Sequence, residues 1–275
     1  MYRETRTMNQ EDIKYFQRFG FIHYKGLLSP SEMAVISDAF DEGMRLARKG
    51  APPPQQGEKR QQIVPFFDYY PEVLYPLLDH EKIVDIFEGL MGEDFILTLS
   101  EGIIHTGGTQ WHHDAYAPEG YFSMRAAIYL DPLGPEDGCL TVIPGSHLKE
   151  FGEAINQMRD ELGGLPDEMP GRYPLCNEPG DVLFMNHKTY HSALSDKYGR
   201  RAIHINCVPN TTPEKNQEHF DWLMNFLAGE TKGWGRFYSD RLISTAGPRR
   251  QRMMERAIEL GFGNTGPITQ LQDLR

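Results

Sequence analysis

Hydrophobic positions along the chain change period twice. Over residues 9–19, Ile13, Phe16 and Phe19 recur at helical spacing, and Gly20 ends the run. Phe21-Ile22-His23-Tyr24 then reads as a strand. Ser29-Pro30-Ser31-Glu32 carries the marks of a helix start: a capping hydroxyl, a proline in the first turn and a glutamate three residues after the cap. The helix it opens runs to Arg48, with Met33, Ile36, Phe40, Met44 and Ala47 on its apolar side. Ala51-Pro52-Pro53-Pro54-Gln55-Gln56-Gly57 reads as a loop. Tyr70 to Met91 is predicted mostly helical, with Val73, Leu77, Ile83, Ile86, Phe87 and Leu90 turned to the core.

From residue 95 the period shortens. Phe95 to Leu99, Phe122 to Leu130, Leu140 to Ile143, Val182 to Met185 and Ala202 to Val208 are short strand-like runs between glycine- and proline-rich turns. Such a series predicts a sandwich or barrel. The helical period then returns, first in a segment opened by Thr212-Pro213 and carrying Phe220, Leu223, Met224 and Leu227, then in a basic helix over 248–260. The final dozen residues are expected to be loosely held. The fold class is therefore α+β with a mainly β core at about 95–208. A helical region, 1–94, precedes it, and a helical extension, 209–275, follows it within a single domain, 1–275.

Composition narrows the function. The 275 residues are 39% apolar and carry a net charge of −11, which is not the footprint of a general nucleic-acid binder. Three dispersed cysteines, Cys139, Cys176 and Cys207, form neither a disulfide framework nor a zinc knuckle. The first six residues are charged, without an apolar signal core, and no run is long enough to span a bilayer. A cytoplasmic protein is expected, acting on a small molecule.

The candidate chemistry lies in Gln110-Trp111-His112-His113-Asp114. On an extended segment His112 and Asp114 share a face, while His113 points away. A histidine and a carboxylate so placed can close on one metal ion, with His191 as candidate third ligand. Two histidines and a carboxylate on one face of an octahedral ion leave positions open, as a non-haem Fe(II) oxygenase requires. His187 and His191 are four apart, the spacing of a helical zinc pair. Lys188 stands where such a motif has its glutamate, and Gly180 to Met185 reads as a turn and a strand. His187 is therefore placed in a turn, with His191 opening the next strand. His105, His147 and His204 are further candidate ligands. Arg200 and Arg201 begin a strand, so only one of them faces inward, where its fork suits a carboxylate.

Three blocks resemble the phytanoyl-CoA dioxygenase family of Fe(II)/2-oxoglutarate-dependent oxygenases: Trp111-His112-His113-Asp114, Glu136 to His147 ending in Pro-Gly-Ser-His, and Glu178 to Phe184 leading to His191 and Arg200-Arg201-Ala202. The resemblance implies a double-stranded β-helix, the jelly-roll of cupin-like proteins. It implies Fe(II) held by His112, Asp114 and His191, with 2-oxoglutarate and O2 as co-substrates. Arg200 would bind the distal carboxylate of 2-oxoglutarate, with Arg201 as second choice, and His147 would shape its turn. Ser192-Ala193-Leu194 departs from the family's usual Gly-Ser-Gly run, and the interval from His191 to Arg200 is somewhat short. The implied activity is oxidation, chiefly hydroxylation, of an unactivated C–H bond with release of succinate and CO2. A carboxylate at Asp114, where related halogenases have a small residue, favours hydroxylation, desaturation or ring closure over halogenation.

Alternation along Ser123 to Tyr129 puts Arg125, Ala127 and Tyr129 on one face, and the resemblance implies that this face looks inward, making Arg125 and Tyr129 candidate substrate contacts. Tyr116, Tyr121 and Phe122 are candidates for the cavity entrance or equally for the core, and Tyr116 is a further candidate substrate contact. Arg48, Lys49, Lys59 and Arg60 flank the proline loop, a candidate lid. Two rival functions are a cupin-like metal hydrolase or isomerase with the same three ligands, and a non-catalytic small-molecule binder, against which the intact His112, Asp114 and His191 set argues.

Overall fold

Asn9 and Ser29 each open a helix by a reciprocal cap. In the computed structural model, which describes residues 8–195 and 197–262, the Asn9 side chain accepts from the Glu11 and Asp12 amides and Asp12 returns a bond to the Asn9 amide. Ser29 and Glu32 repeat the exchange. These caps start α1 (Gln10–Phe19) and α2 (Pro30–Arg48). Gly20 ends α1 at φ 83°, a left-handed conformation that costs glycine little, and turns the chain directly into β1 (Phe21–Tyr24). α2 buries Met33, Ile36, Phe40 and Met44, each worth roughly 1.5–3 kcal/mol when fully removed from water.

After β2 (Gln61–Ile63), the expected long helix over 70–91 is three pieces: α3 (Pro71–Leu74), α4 (Pro76–Asp79) and α5 (Glu81–Met91). Pro71 and Pro76 each occupy a first-turn position, where the missing amide costs nothing, and each restarts the helix in a new direction. The strands follow as β3 (Ile96–His105), β4 (Thr109–His112), β5 (Met124–Tyr129), β6 (Thr141–Val142), β7 (Tyr173–Pro174), β8 (Val182–Asn186), β9 (His191–Ala193) and β10 (Arg200–Val208). α6 (Lys149–Leu162) lies between β6 and β7. β3 reaches further than the apolar run that predicted it, because two of its inward residues toward the end, Glu101 and His105, are polar. α7 (Gln217–Trp234), α8 (Asp240–Ser244) and α9 (Pro248–Glu259) close the described chain. α7 begins later than Thr212-Pro213 suggested, since Asn216, and not Thr212, caps it. The expectation of a loose final dozen concerns residues outside the described range.

The strands form two antiparallel sheets, β1-β8-β5-β10-β3-β2 and β4-β9-β6-β7, as a jelly-roll requires. Strand parity divides the core. Met124, Ala126 and Ile128 of β5, with Ile203 and Ile205 of β10, face outward onto Phe40, Met44 and Phe87 of the helices. Ala127, Tyr129, Leu183 and Ala202 face inward toward Val142 and Leu175. The inner face of the larger sheet therefore forms one wall of a cavity, with the smaller sheet opposite.

Candidate metal centre

His112 and His191 are directly opposite one another in the β4–β9 pairing. That register puts both imidazoles on one face, with ring centroids 4.3 Å apart. Asp114 lies just past the end of β4, in a bend and not on the strand. Its amide donates to the His187 carbonyl at 2.8 Å, so the turn after β8 fixes where the carboxylate points. The Asp114 oxygens stand 3.5 Å from His112 Nε2 and 3.4 Å from His191 Nε2. The three ligand atoms all lie within 4.8 Å of one another, the one such trio of metal-binding side chains among the described residues.

Each imidazole is oriented from behind. His112 Nδ1 meets the Gln110 carbonyl at 2.8 Å and His191 Nδ1 the Thr189 carbonyl at 2.9 Å. A ring that donates from Nδ1 presents the lone pair of Nε2, the form a metal takes. Burial pushes the His191 pKa down to about 4, which keeps it neutral. Burial also acts to lower that of His112, but the Asp114 carboxylate outweighs it and the net shift is upward. Burial would raise the Asp114 pKa, yet Arg125 and then His191 hold it well below the carboxylate range. An ionised carboxylate between two oriented imidazoles fits a divalent transition metal.

His113, as strand parity predicted, turns away and packs on Tyr190 and Tyr116. His187 sits in the turn after β8, its Nδ1 2.8 Å from Ser123 Oγ, and no helix pairs it with His191. His147 meets the Gln17 carbonyl at 3.0 Å and ties its turn to α1. His105 and His204 line the cavity, outside the ligand trio.

The two arginines separate cleanly. Arg200 is buried in the cavity wall, its Nη1 bonded to the Gly138 carbonyl (2.7 Å), Nη2 to Gly107 (2.6 Å) and Nε to Lys197 (3.1 Å). Each terminal nitrogen keeps a second hydrogen. Arg201 turns outward to Asp131 (2.8 Å), Asp41 (2.8 Å) and Ser37 (2.9 Å), fastening α2 to the sheet.

Arg125 and Tyr129 do face inward. The Arg125 guanidinium meets the Asp114 carboxylate and reaches His204 Nδ1 at 3.3 Å. Glu101 accepts from Gln62 (2.9 Å) and Asn206 (2.6 Å), and lies 3.8 Å from His204. Burial would raise the Glu101 pKa, but His204, Arg125 and Gln62 together hold it at about 2. Arg125 and His204 were candidates one by one, but their linkage from β2 to Asp114 was not predicted; Glu101 is the one charged residue of Ile96 to Ile104.

Three expectations require correction. Tyr116 is 71% exposed and lies outside the cavity, held there because its ring packs edge-to-face with His113 and its carbonyl accepts from Trp222. Tyr121 and Phe122 do not form the entrance. Tyr121 bonds the Pro209 carbonyl and packs on His219 and Trp222, and Phe122 packs on Phe16. Of the cations flanking the proline loop only Arg60 lines the cavity, while Arg48 bonds Gln61. The cavity, of about 210 Å3, is also lined by Phe226, Glu230 and Trp234 of α7, which the sequence had not marked as site residues.

The sequence model described as "Phytanoyl-CoA dioxygenase (PhyH)" matches residues 16–202. No curated protein matches the chain in sequence. Among solved structures, the non-heme alpha ketoglutarate dependent carbocyclase SnoK from nogalamycin biosynthesis is 22% identical, with TM-score 0.58, covering 74% of this chain and 84% of that one. HygX from Streptomyces hygroscopicus, with nickel and 2-oxoglutarate bound, is 16% identical with TM-score 0.59, covering 74% and 88%. EctD from S. alaskensis, with bound Fe, is 18% identical with TM-score 0.58, covering 74% and 77%. At these identities the likeness is one of fold.

Proposed function

Because the chain belongs to the phytanoyl-CoA dioxygenase family, a family of iron- and 2-oxoglutarate-dependent enzymes, we propose that it hydroxylates an unactivated C–H bond of a small organic molecule. The observation that carries this reading is the convergence of His112, Asp114 and His191 beside a buried, inward-facing Arg200. A metal hydrolase would not need that arginine, and a simple binder would not need all three metal ligands. Iron, when bound, couples O2 activation to decarboxylation of 2-oxoglutarate into succinate and CO2.

The chain's own residues supply position and surroundings. His112, Asp114 and His191 would hold the metal, with Gln110 and Thr189 fixing the ring orientations. Arg200 would take the distal carboxylate of 2-oxoglutarate through its second terminal hydrogens, since three backbone carbonyls already fix its fork. Arg125 orients the Asp114 carboxylate and is itself aligned by His204 and Glu101. Leu99, Ile103, Ala127 and Met185 line the cavity with apolar surface, which limits water near the reacting atoms. Asp114 fills the third ligand position and supports hydroxylation over halogenation. One core cluster joins Phe16 of α1, the outer face of the larger sheet and Ala257 of α9, which supports reading the chain as one domain. No helix among the described residues is long and apolar enough to cross a membrane.

The test is anaerobic visible absorption of metal-free protein after Fe(II) and then 2-oxoglutarate are added, beside His112→Ala. A charge-transfer band that needs both additions and disappears in the variant is expected. Its absence from the wild type, together with tight binding of another metal, would favour the hydrolase or isomerase.

A further inference from the structure

The cavity contains three carboxylates, and two of them are already balanced. Asp114 meets Arg125, and Glu101 accepts from Gln62 and Asn206 beside His204. Glu230 is different. It projects from α7 into the same cavity, half-buried, and its carboxylate has no hydrogen bond or ion pair among the described residues. Burial, and then the charge of Glu101, push its pKa up to about 7. It takes part in no metal-ligating trio among the described residues, so a second metal ion does not account for it.

What surrounds Glu230 gives the sign and kind of its missing partner. Phe226 and Trp234 lie four residues before and after it and line the cavity on the same helix face. A carboxylate between two aromatic rings suits an alkylammonium group: the charge is matched, and the ring faces attract the cation and its polarised methylenes. A second, independent feature favours a polar ligand in this cavity. His204 and His187, each more than nine-tenths buried, line it, and Nε2 of both rings lacks a hydrogen-bond partner. Buried polar atoms are seldom left so.

We propose that Glu230, between Phe226 and Trp234, is the subsite for a protonated amine on the substrate. This names a substrate class for the oxygenase reading above and rests on it: an organic ammonium compound, held by its cationic end at α7 while another carbon faces the metal set. Glu230 is a specificity-determining residue and takes no part in bond making.

The test is calorimetric titration of the full metal-free chain at pH 8, where both Glu230 and an alkylammonium are charged. The probes are n-hexylamine and its neutral analogue n-hexanol. The wild type is expected to bind hexylamine at least tenfold more tightly than hexanol. Glu230→Gln should erase that preference without lowering the unfolding midpoint, and Glu230→Lys should transfer it to hexanoate. Equal binding of amine and alcohol by the wild type would overturn the subsite, as would an undiminished amine preference in Glu230→Gln. The Fe(II)/2-oxoglutarate band is read separately on the wild type. A protein that selects hexylamine through Glu230 yet forms no such band keeps the subsite and loses the oxygenase.

Discussion

Gly138→Ala isolates the anchoring role given to Arg200. Gly138 has φ 75°, and its carbonyl accepts from Arg200 Nη1 at 2.7 Å. A Cβ there would sit 2.6 Å from Ser195 Cβ, 3.1 Å from Arg200 Nη1 and 3.3 Å from Arg200 Cζ. Carbon atoms rest at about 3.5–4.0 Å, so the Ser195 contact is too close by roughly 1 Å and something must shift. Ser195 cannot move alone. Its hydroxyl donates to the Glu136 carbonyl at 3.1 Å and accepts from the Lys197 amide at 3.1 Å, and the Lys197 carbonyl is itself an acceptor for Arg200 Nε. Two of the three backbone acceptors that fix the guanidinium are therefore disturbed together. A hydrogen bond to a charged group is worth about 1.5–3 kcal/mol, and partial loss of one is enough for a tenfold effect, about 1.4 kcal/mol.

Gly171 supplies the control, with φ 74° and nothing within 4 Å of an added Cβ. Both alanines pay the left-handed backbone cost of about 1–2 kcal/mol. Only Gly138→Ala should weaken 2-oxoglutarate binding, by tenfold or more, in an anaerobic titration of the Fe(II) charge-transfer band. If Gly138→Ala binds 2-oxoglutarate as the wild type does, Arg200 is not the anchor or its backbone clamp is irrelevant.

Arg200→Ala should raise the 2-oxoglutarate requirement for succinate formation by more than tenfold. Arg201→Ala should leave it unchanged and lower stability by up to about 1 kcal/mol, the scale of a part-exposed pair; the reverse order would mean that the strand register is wrong. Burial, then Arg200, lowers the His105 pKa to about 3, and burial, then Lys25, lowers that of His23 to about 4. Their folded pKa values lie below the unfolded 6.5, so the unfolded chain takes up protons first as pH falls. Their full contribution is present above pH 6.5 and declines by up to about 1.4 kcal/mol per pH unit for each histidine as pH falls toward 4. Urea midpoints that do not change between pH 7 and 5 would contradict this. Gly102→Ala would place a Cβ 2.5 Å from Phe66 Cγ and 2.7 Å from Met44 Cε, and overpacking of about 1–3 kcal/mol should appear in thermal unfolding with 2-oxoglutarate binding unaltered.

Local rules made much of this molecule legible. Ser29 to Glu32 announces its cap, Gly20 its stop, and alternation puts Arg125, Ala127 and Tyr129 on one face. His112 and Asp114 were legible because two-residue spacing on an extended chain is a strong constraint, even though Asp114 lies in the bend beyond the strand. Long-range contacts were not legible. Nothing near Asp114 in sequence points to the His187 carbonyl that fixes its bend, and Gln62, Glu101, Arg125 and His204 are joined only by strand order. Tyr116 was misplaced for a related reason. Its position follows from His113 and from Trp222, far along the chain, and aromatic character alone says nothing about which side of a loop a ring takes.

α7 reaches the cavity with a single helix face and lies beyond residues 16–202, the stretch shared with the family. The proposed metal and co-substrate residues all come from within that stretch. The two parts of the enzyme can consequently diverge at different rates: substitutions at 226, 230 and 234 change which molecules are admitted and leave the reaction machinery intact. For an engineer, α7 is the segment to randomise when a new substrate is wanted, and the strands are the part to leave alone.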